Sequence, residues 1–124
     1  SPVPFKDISK AAPGEPSARI RERVIRAREI QAERFKDFKG IHCNAQMTER
    51  MIHQFAEPTE EGINLLRMAM EKLSLSARAY NRILKVARTI ADLAGSQQIE
   101  PQHLAEAIGY RTLDRGDWAE RGHF

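Results

Sequence analysis

One stretch, SARAYNRILKVARTIADLAG at 76–95, constrains the fold more than any other. Within it Tyr80, Ile83, Leu84, Ala87, Ile90, Ala91 and Ala94 recur at intervals of three and four, the spacing of one helix face. Ser76 offers a side-chain acceptor to a first turn, and Gly95 offers a stop that tolerates a left-handed backbone. An isolated helix of this length is marginal in water, so the apolar stripe must be covered by other elements.

The rest of the chain supplies them with the same period. A first helix is predicted from about Ser17 to Phe35, with Glu15 or Ser17 as cap, Pro16 at the first helical position, and Ile20, Val24, Ala27 and Ile30 as its apolar stripe. Lys39-Gly40 ends it, and GIHCNAQM (40–47) reads as a loop. Thr48 caps a short second helix with Met51, Ile52 and Phe55 on its apolar side. Thr59 caps a third, whose first turn holds Glu60 and Glu61 and whose face is Ile63, Leu66, Ala69, Met70 and Leu73. After 76–95 comes a short extended link at 98–101, and Pro101 opens a fifth helix packed through Leu104, Ala107 and Ile108. No run alternates with strand period, and no internal repeat is present. The expected fold is all-α, a compact orthogonal bundle of about five helices over 17–112. A Pro- and Gly-containing lead-in (1–16) precedes it and a tail (113–124) follows. So unanchored a lead-in suggests a cut from a longer chain.

A chain of 124 residues with 41% hydrophobic and 30% charged residues suits one soluble domain. No apolar run approaches the roughly 20 residues that span a bilayer. A single cysteine, Cys43, precludes an internal disulfide framework. The expected location is cytoplasmic, with no membrane partner.

No catalytic constellation is visible. There is no G-x-x-x-x-G-K-[ST], no G-x-G-x-x-G and no G-x-S-x-G. Cys43 follows His42, but adjacency in sequence does not make a nucleophile–base pair in space. His42, His53, His103 and His123 lack metal-ligand spacing. Neither a metal site nor catalysis by this chain alone is expected.

The arginines say more. Net charge is only +3, yet Arg78, Arg82 and Lys85 fall three and four apart on the fourth helix, opposite its apolar stripe. A solvated basic face accounts for Arg82 and Lys85. It accounts less well for Arg78, a cation in a first turn whose partial charge is already positive. A phosphate would remove that penalty, held by backbone N–H groups and a guanidinium fork. On the first helix Arg19, Arg21, Arg23, Arg26 and Arg28 wrap most of the circumference. They can pair with Glu22, Glu29 and Glu33 or meet nucleic acid or another protein surface. A stand-alone helix-turn-helix module is a competing reading, with Arg78, Asn81, Arg82 and Lys85 facing a major groove. A third is an interaction bundle offering Met47, Met51, Met68 and Met70, although core packing explains methionines more simply.

RIRERVIRAREIQAERF (19–35), GIHCNAQM (40–47) and LSLSARAYNRILKVARTIADLAGSQQIEPQHLAEAIGYR (73–111) resemble the C-terminal region of bacterial magnesium-chelatase-like AAA+ ATPases of the ComM/YifB type. Members of that family often carry Asp where Asn81 stands and Ser where Pro16 stands. The resemblance implies a helical lid following an AAA+ core and, before that, a Lon-protease-like domain. The phosphate-binding loop and arginine finger would then lie upstream, and the parent would hydrolyse ATP with Mg²⁺; neither is expected bound to this chain by itself. By motif position Arg78 is the sensor-2 arginine that reaches the nucleotide's γ-phosphate. Arg21, Arg23 and Arg28 match the family's I-R-x-R-V-x-x-A-R run, with lid–core packing, a neighbouring subunit or DNA as their contact, in that order. The resemblance also implies a homo-hexamer and, for ComM-like members, DNA translocation in recombination during transformation.

Overall fold

A computed structural model describes residues 16–114, with side chains described as far as 110. The lead-in before residue 16 and the tail beyond 114 lie outside the described residues. Five α-helices and one short turn form in the expected order: α1 (Ser17–Arg34), a 3-10 turn (Asn44–Gln46), α2 (Glu49–Phe55), α3 (Glu60–Leu73), α4 (Ala77–Leu93) and α5 (Pro101–Asp114). No strand occurs among the described residues, and none of their helices is long and apolar enough to cross a membrane.

Local chemistry sets most of the boundaries. Thr48, Thr59 and Ser76 each cap a helix by accepting the backbone N–H three residues on, from Met51, Gly62 and Ala79 respectively. Gly95 turns left-handed (φ 73°) after α4, and the Ser96 N–H bonds the Ala91 carbonyl at 2.8 Å. That is the helix-ending bond such a glycine permits. α3 ends the same way on a non-glycine residue. Ser74 is left-handed (φ 53°, ψ 49°), and the Leu75 N–H bonds the Met70 carbonyl. α5 opens on Pro101, and the His103 side chain reaches back to accept the Glu100 N–H through Nδ1 at 2.9 Å, half of a capping box. α5 continues into the stretch expected as tail, to Asp114.

α4 is the central element. Ala79, Ile83, Leu84, Val86, Ala87 and Ala91 are all buried, and α4 packs against α1, the 3-10 turn, α2 and α5. α3 reaches the core mainly through Leu66 and closes on α5 at Gly62. A Cβ placed on Gly62 would lie 2.7 Å from Leu104 Cδ1 and 3.2 Å from Pro58 Cβ, so any larger residue here would force the buried Leu104 side chain to shift. Beside it Pro58 and Ile99 form a single parallel bridge, which ties the entries to α3 and α5 together. At the other end Phe35, Phe38 and Phe55 meet edge-to-face, with centroids 5.7–6.4 Å apart.

Three expectations need correction. Pro16 is the cap residue of α1 rather than its first helical residue, and no side chain caps that helix. The α1 stripe is misplaced: Ile20 and Ile30 are 37% and 36% exposed, as is Ile25 at 48%. Of the expected stripe Ala27 is buried and Val24 half-buried, and Gln31 is buried beside them, because α1 approaches α4 and the 3-10 turn through a polar seam. Finally, residues 40–47 are not all loop, since the 3-10 turn lies within them.

Candidate functional site

The expected phosphate-facing residue sits where the α3–α4 turn delivers it. The left-handed Ser74 reverses the chain, Ser76 is extended (φ −84°, ψ 170°), and Arg78 is the second residue of α4. The Ser76 hydroxyl takes the Ala79 N–H at 3.2 Å, and the Ser76 carbonyl takes the Tyr80 N–H. The amides of Ala77 and Arg78 remain at the open end of the helix. The first turn holds no acidic residue. Arg78 is exposed and makes no ion pair or hydrogen bond among the described residues. A cation, two open amides and the positive end of a seventeen-residue helix therefore coincide, an arrangement suited to an anion.

Arg82 and Lys85 do not share that openness. Both are half-buried, and Arg82 is engaged with another residue. Lys85 Nζ donates to the Ala45 carbonyl of the 3-10 turn at 3.2 Å. Burial first and nearby Arg82 second hold its ammonium below the usual lysine range. The basic stripe is thus not a face turned away from the rest of the molecule: the 3-10 turn meets it at Lys85. A helix-turn-helix reading would need that stripe free to enter a groove. On α1, Arg21 and Arg28 are exposed, while Arg23 is half-buried and engaged. Among the described residues no group of three or more His, Cys, Asp or Glu could hold a metal ion.

At the opposite end of α4 lies a polar cluster that sequence reasoning missed. Asp92, its side chain 1% exposed, accepts two hydrogen bonds from Arg34 in a fork, both at 2.8 Å. It also accepts one from Asn44 Nδ2 at 2.9 Å. Arg88, one turn earlier and 5% exposed, places Nε 3.2 Å from Asp92 Oδ1. That contact is an ion pair without hydrogen-bond alignment, and it leaves Nε unsatisfied. The rest of the Arg88 guanidinium gathers three carbonyls: Phe55 (3.2 Å), Gln97 (3.1 Å) and Ser96 (2.8 Å). Burial pushes its pKa down against the raising effect of Asp92, and the group remains a cation. Asn44 completes the cluster: its N–H bonds Gln31 Oε1, its Oδ1 accepts from Arg34, and its Nδ2 also reaches Thr89. A signal existed, because Arg88 and Asp92 stand at i,i+4 among Leu84, Ala87 and Ala91, where only paired charges can be buried. Arg34 and Asn44 carried none.

Together these elements define an all-α helical domain whose central helix, α4, opens on a capped first turn that carries a cation. Residues 14–111 match the family model described as magnesium chelatase, subunit ChlI C-terminal, and the chain belongs to that family. It is 48% identical over 102 residues to competence protein ComM of Haemophilus influenzae, covering 82% of this chain and 19% of that protein. It is 44% identical over 103 residues to the uncharacterized protein YifB of Escherichia coli, covering 83% and 19%. With the uncharacterized protein Mb2921c of Mycobacterium bovis the identity is 34% over 101 residues, 82% and 20% of the two chains. The chain spans about a fifth of the length of these curated relatives. No solved structure matches it.

Proposed function

We propose that this domain is the C-terminal lid of an AAA+ ATPase of the magnesium-chelatase-like, ComM/YifB type, and that Arg78 is its nucleotide contact. The observation that carries the reading is Arg78 itself: an exposed guanidinium in the first turn of α4, unpartnered among the described residues, in a family described as magnesium chelatase, subunit ChlI C-terminal. Bound ATP with Mg²⁺ supplies a phosphoanhydride whose cleavage changes the negative charge facing the lid. Arg78 offers that charge a fork of N–H donors, and the Ala77 and Arg78 amides add to it. Its position on a rigid helix lets loss of that charge release the lid as a body. Arg21 and Arg28 suit the adjoining core, a neighbouring subunit of a homo-hexamer, or DNA. Similarity to a competence protein favours DNA translocation in recombination as the work of the whole protein.

The test is Arg78→Ala in the full-length protein. Steady-state ATP turnover should fall by about a hundredfold, the cost of removing one preorganised charge contact. The melting temperature should hold or rise slightly, since a cation leaves a positive helix end. Turnover at the wild-type rate would overturn the reading.

A further inference from the structure

The Arg34–Asp92–Arg88–Asn44 cluster joins α1 directly to α4, which no other polar contact described above does. Arg34 is the last residue of α1 and Asp92 lies in the last turn of α4, 58 positions away. Asn44 brings in the 3-10 turn, Gln31 a second point on α1, and Thr89 a second point on α4. Arg88 adds the end of α2 and the link at 96–97. Apolar packing does not fix the α1–α4 seam in the same way. α1 buries only Ala27 and Gln31 fully, while three of its isoleucines remain over a third exposed. Non-directional contact through so few buried side chains, with Phe35 as the apolar anchor just after the helix, leaves the rotation of α1 less fixed. A forked arginine–carboxylate pair, with an asparagine bonded to both partners, fixes distance and angle together.

We infer that Arg34, acting through Asp92, is a positioning residue: it locks the helix that enters the domain to the helix that carries Arg78. The inference rests on the nucleotide reading of Arg78. Arg34 itself lies far from the phosphate. Residues 78 and 92 are separated by about 21 Å of helix at the standard rise per residue. Its effect is to set how α4 is presented relative to whatever α1 continues from. Displacing a charge contact by about 1 Å can cost up to a hundredfold in rate.

Two measurements in the full-length protein decide it. In the first, Cys43→Ser removes this domain's thiol, any cysteine elsewhere in the full-length protein is replaced likewise, and spin labels on cysteines at the exposed positions Glu29 and Ala77 report the α1–α4 distance distribution. Arg34→Met should broaden it at temperatures well below melting, and Arg34→Lys should broaden it less. An unchanged distribution in Arg34→Met overturns the joint. In the second, ATP turnover is measured for Arg34→Met, Arg78→Ala and the double variant. Arg34→Met should lower turnover roughly tenfold or more when Arg78 is present and have little effect when Arg78 is absent. Equal losses in both backgrounds would show a general structural role and overturn the inference while leaving Arg78 in place. If Arg78→Ala alone turns over at the wild-type rate, the nucleotide reading fails instead, and the inference, which depends on it, falls too.

Discussion

Asp92→Asn is the substitution that most directly challenges the energetic account of the domain. The change is nearly isosteric, so the core keeps its volume. In the native chain the carboxylate accepts two bonds from Arg34 and one from Asn44, and it stands 3.2 Å from Arg88 Nε. An amide in its place carries no charge, and its NH₂ points a donor at a donor. Two largely buried guanidinium groups then lose their only acidic partner in the cluster. Breaking a buried pair by removing one partner costs about 3–5 kcal/mol. A domain of this size is stable by roughly 5–15 kcal/mol, so a third or more of its stability would go. At about 4–8 °C per kcal/mol, the midpoint should fall by roughly 12–40 °C. Urea and thermal unfolding followed by far-ultraviolet circular dichroism would read it. The combined variant Arg34→Met, Arg88→Met, Asp92→Leu should recover part of the loss, since no charge is left buried. It should not recover all of it, because Asn44 and the carbonyls of Phe55, Ser96 and Gln97 lose their partners. A loss below about 1 kcal/mol in Asp92→Asn would refute the account and show solvent substituting for the carboxylate.

Three further outcomes follow from the same geometry. Gly62→Ala gains up to about 1 kcal/mol of helix propensity but drives a methyl against fully buried Leu104, which costs about 1–3 kcal/mol; the urea midpoint should fall, and a rise would refute the clash. Ser74→Gly relieves the left-handed strain at the α3–α4 turn and should raise stability by about 1 kcal/mol or less, a lower midpoint being the refuting result. Lys85 has its folded pKa below the ordinary 10.5, so its charged form opposes folding at neutral pH, and that opposition fades as pH rises through the range just under 10.5. Stability measured against pH should therefore carry a positive slope there that Lys85→Met lacks, and equal slopes would refute the assignment.

What was legible in the sequence was local. Thr48, Thr59, Ser76 and Gly95 act through neighbours three to five residues away, so their chemistry marks helix ends without knowledge of the fold. Arg78 was legible for the same reason, as a cation within the first turn of a helix that Ser76 begins. The seam between α1 and α4 was not legible. Helical period groups Ile20, Val24, Ala27 and Ile30, but which side of α1 is covered depends on Asp92 and Asn44, far along the chain. Gln31 and Arg34 look like surface residues until their partners are in place. The 3-10 turn escaped notice because three residues carry no period. Lys85 looked like part of an open stripe because nothing nearby in sequence announces the Ala45 carbonyl that it meets.

The long separation between Arg34 and Asp92 has a consequence for synthesis. α1 leaves the ribosome first, yet the carboxylate that fixes it is made 58 residues later. At about 5–20 residues per second, that is a wait of roughly 3–12 s. For that interval α1 has neither its fork partner nor α4 beside it, and Ile20, Ile25 and Ile30 remain over a third exposed even afterwards. An early helix with an uncovered apolar side is open to chaperones and to aggregation. The six charged residues interleaved between Ile20 and Ile30 (Arg21, Glu22, Arg23, Arg26, Arg28 and Glu29) keep that side from becoming a continuous sticky strip.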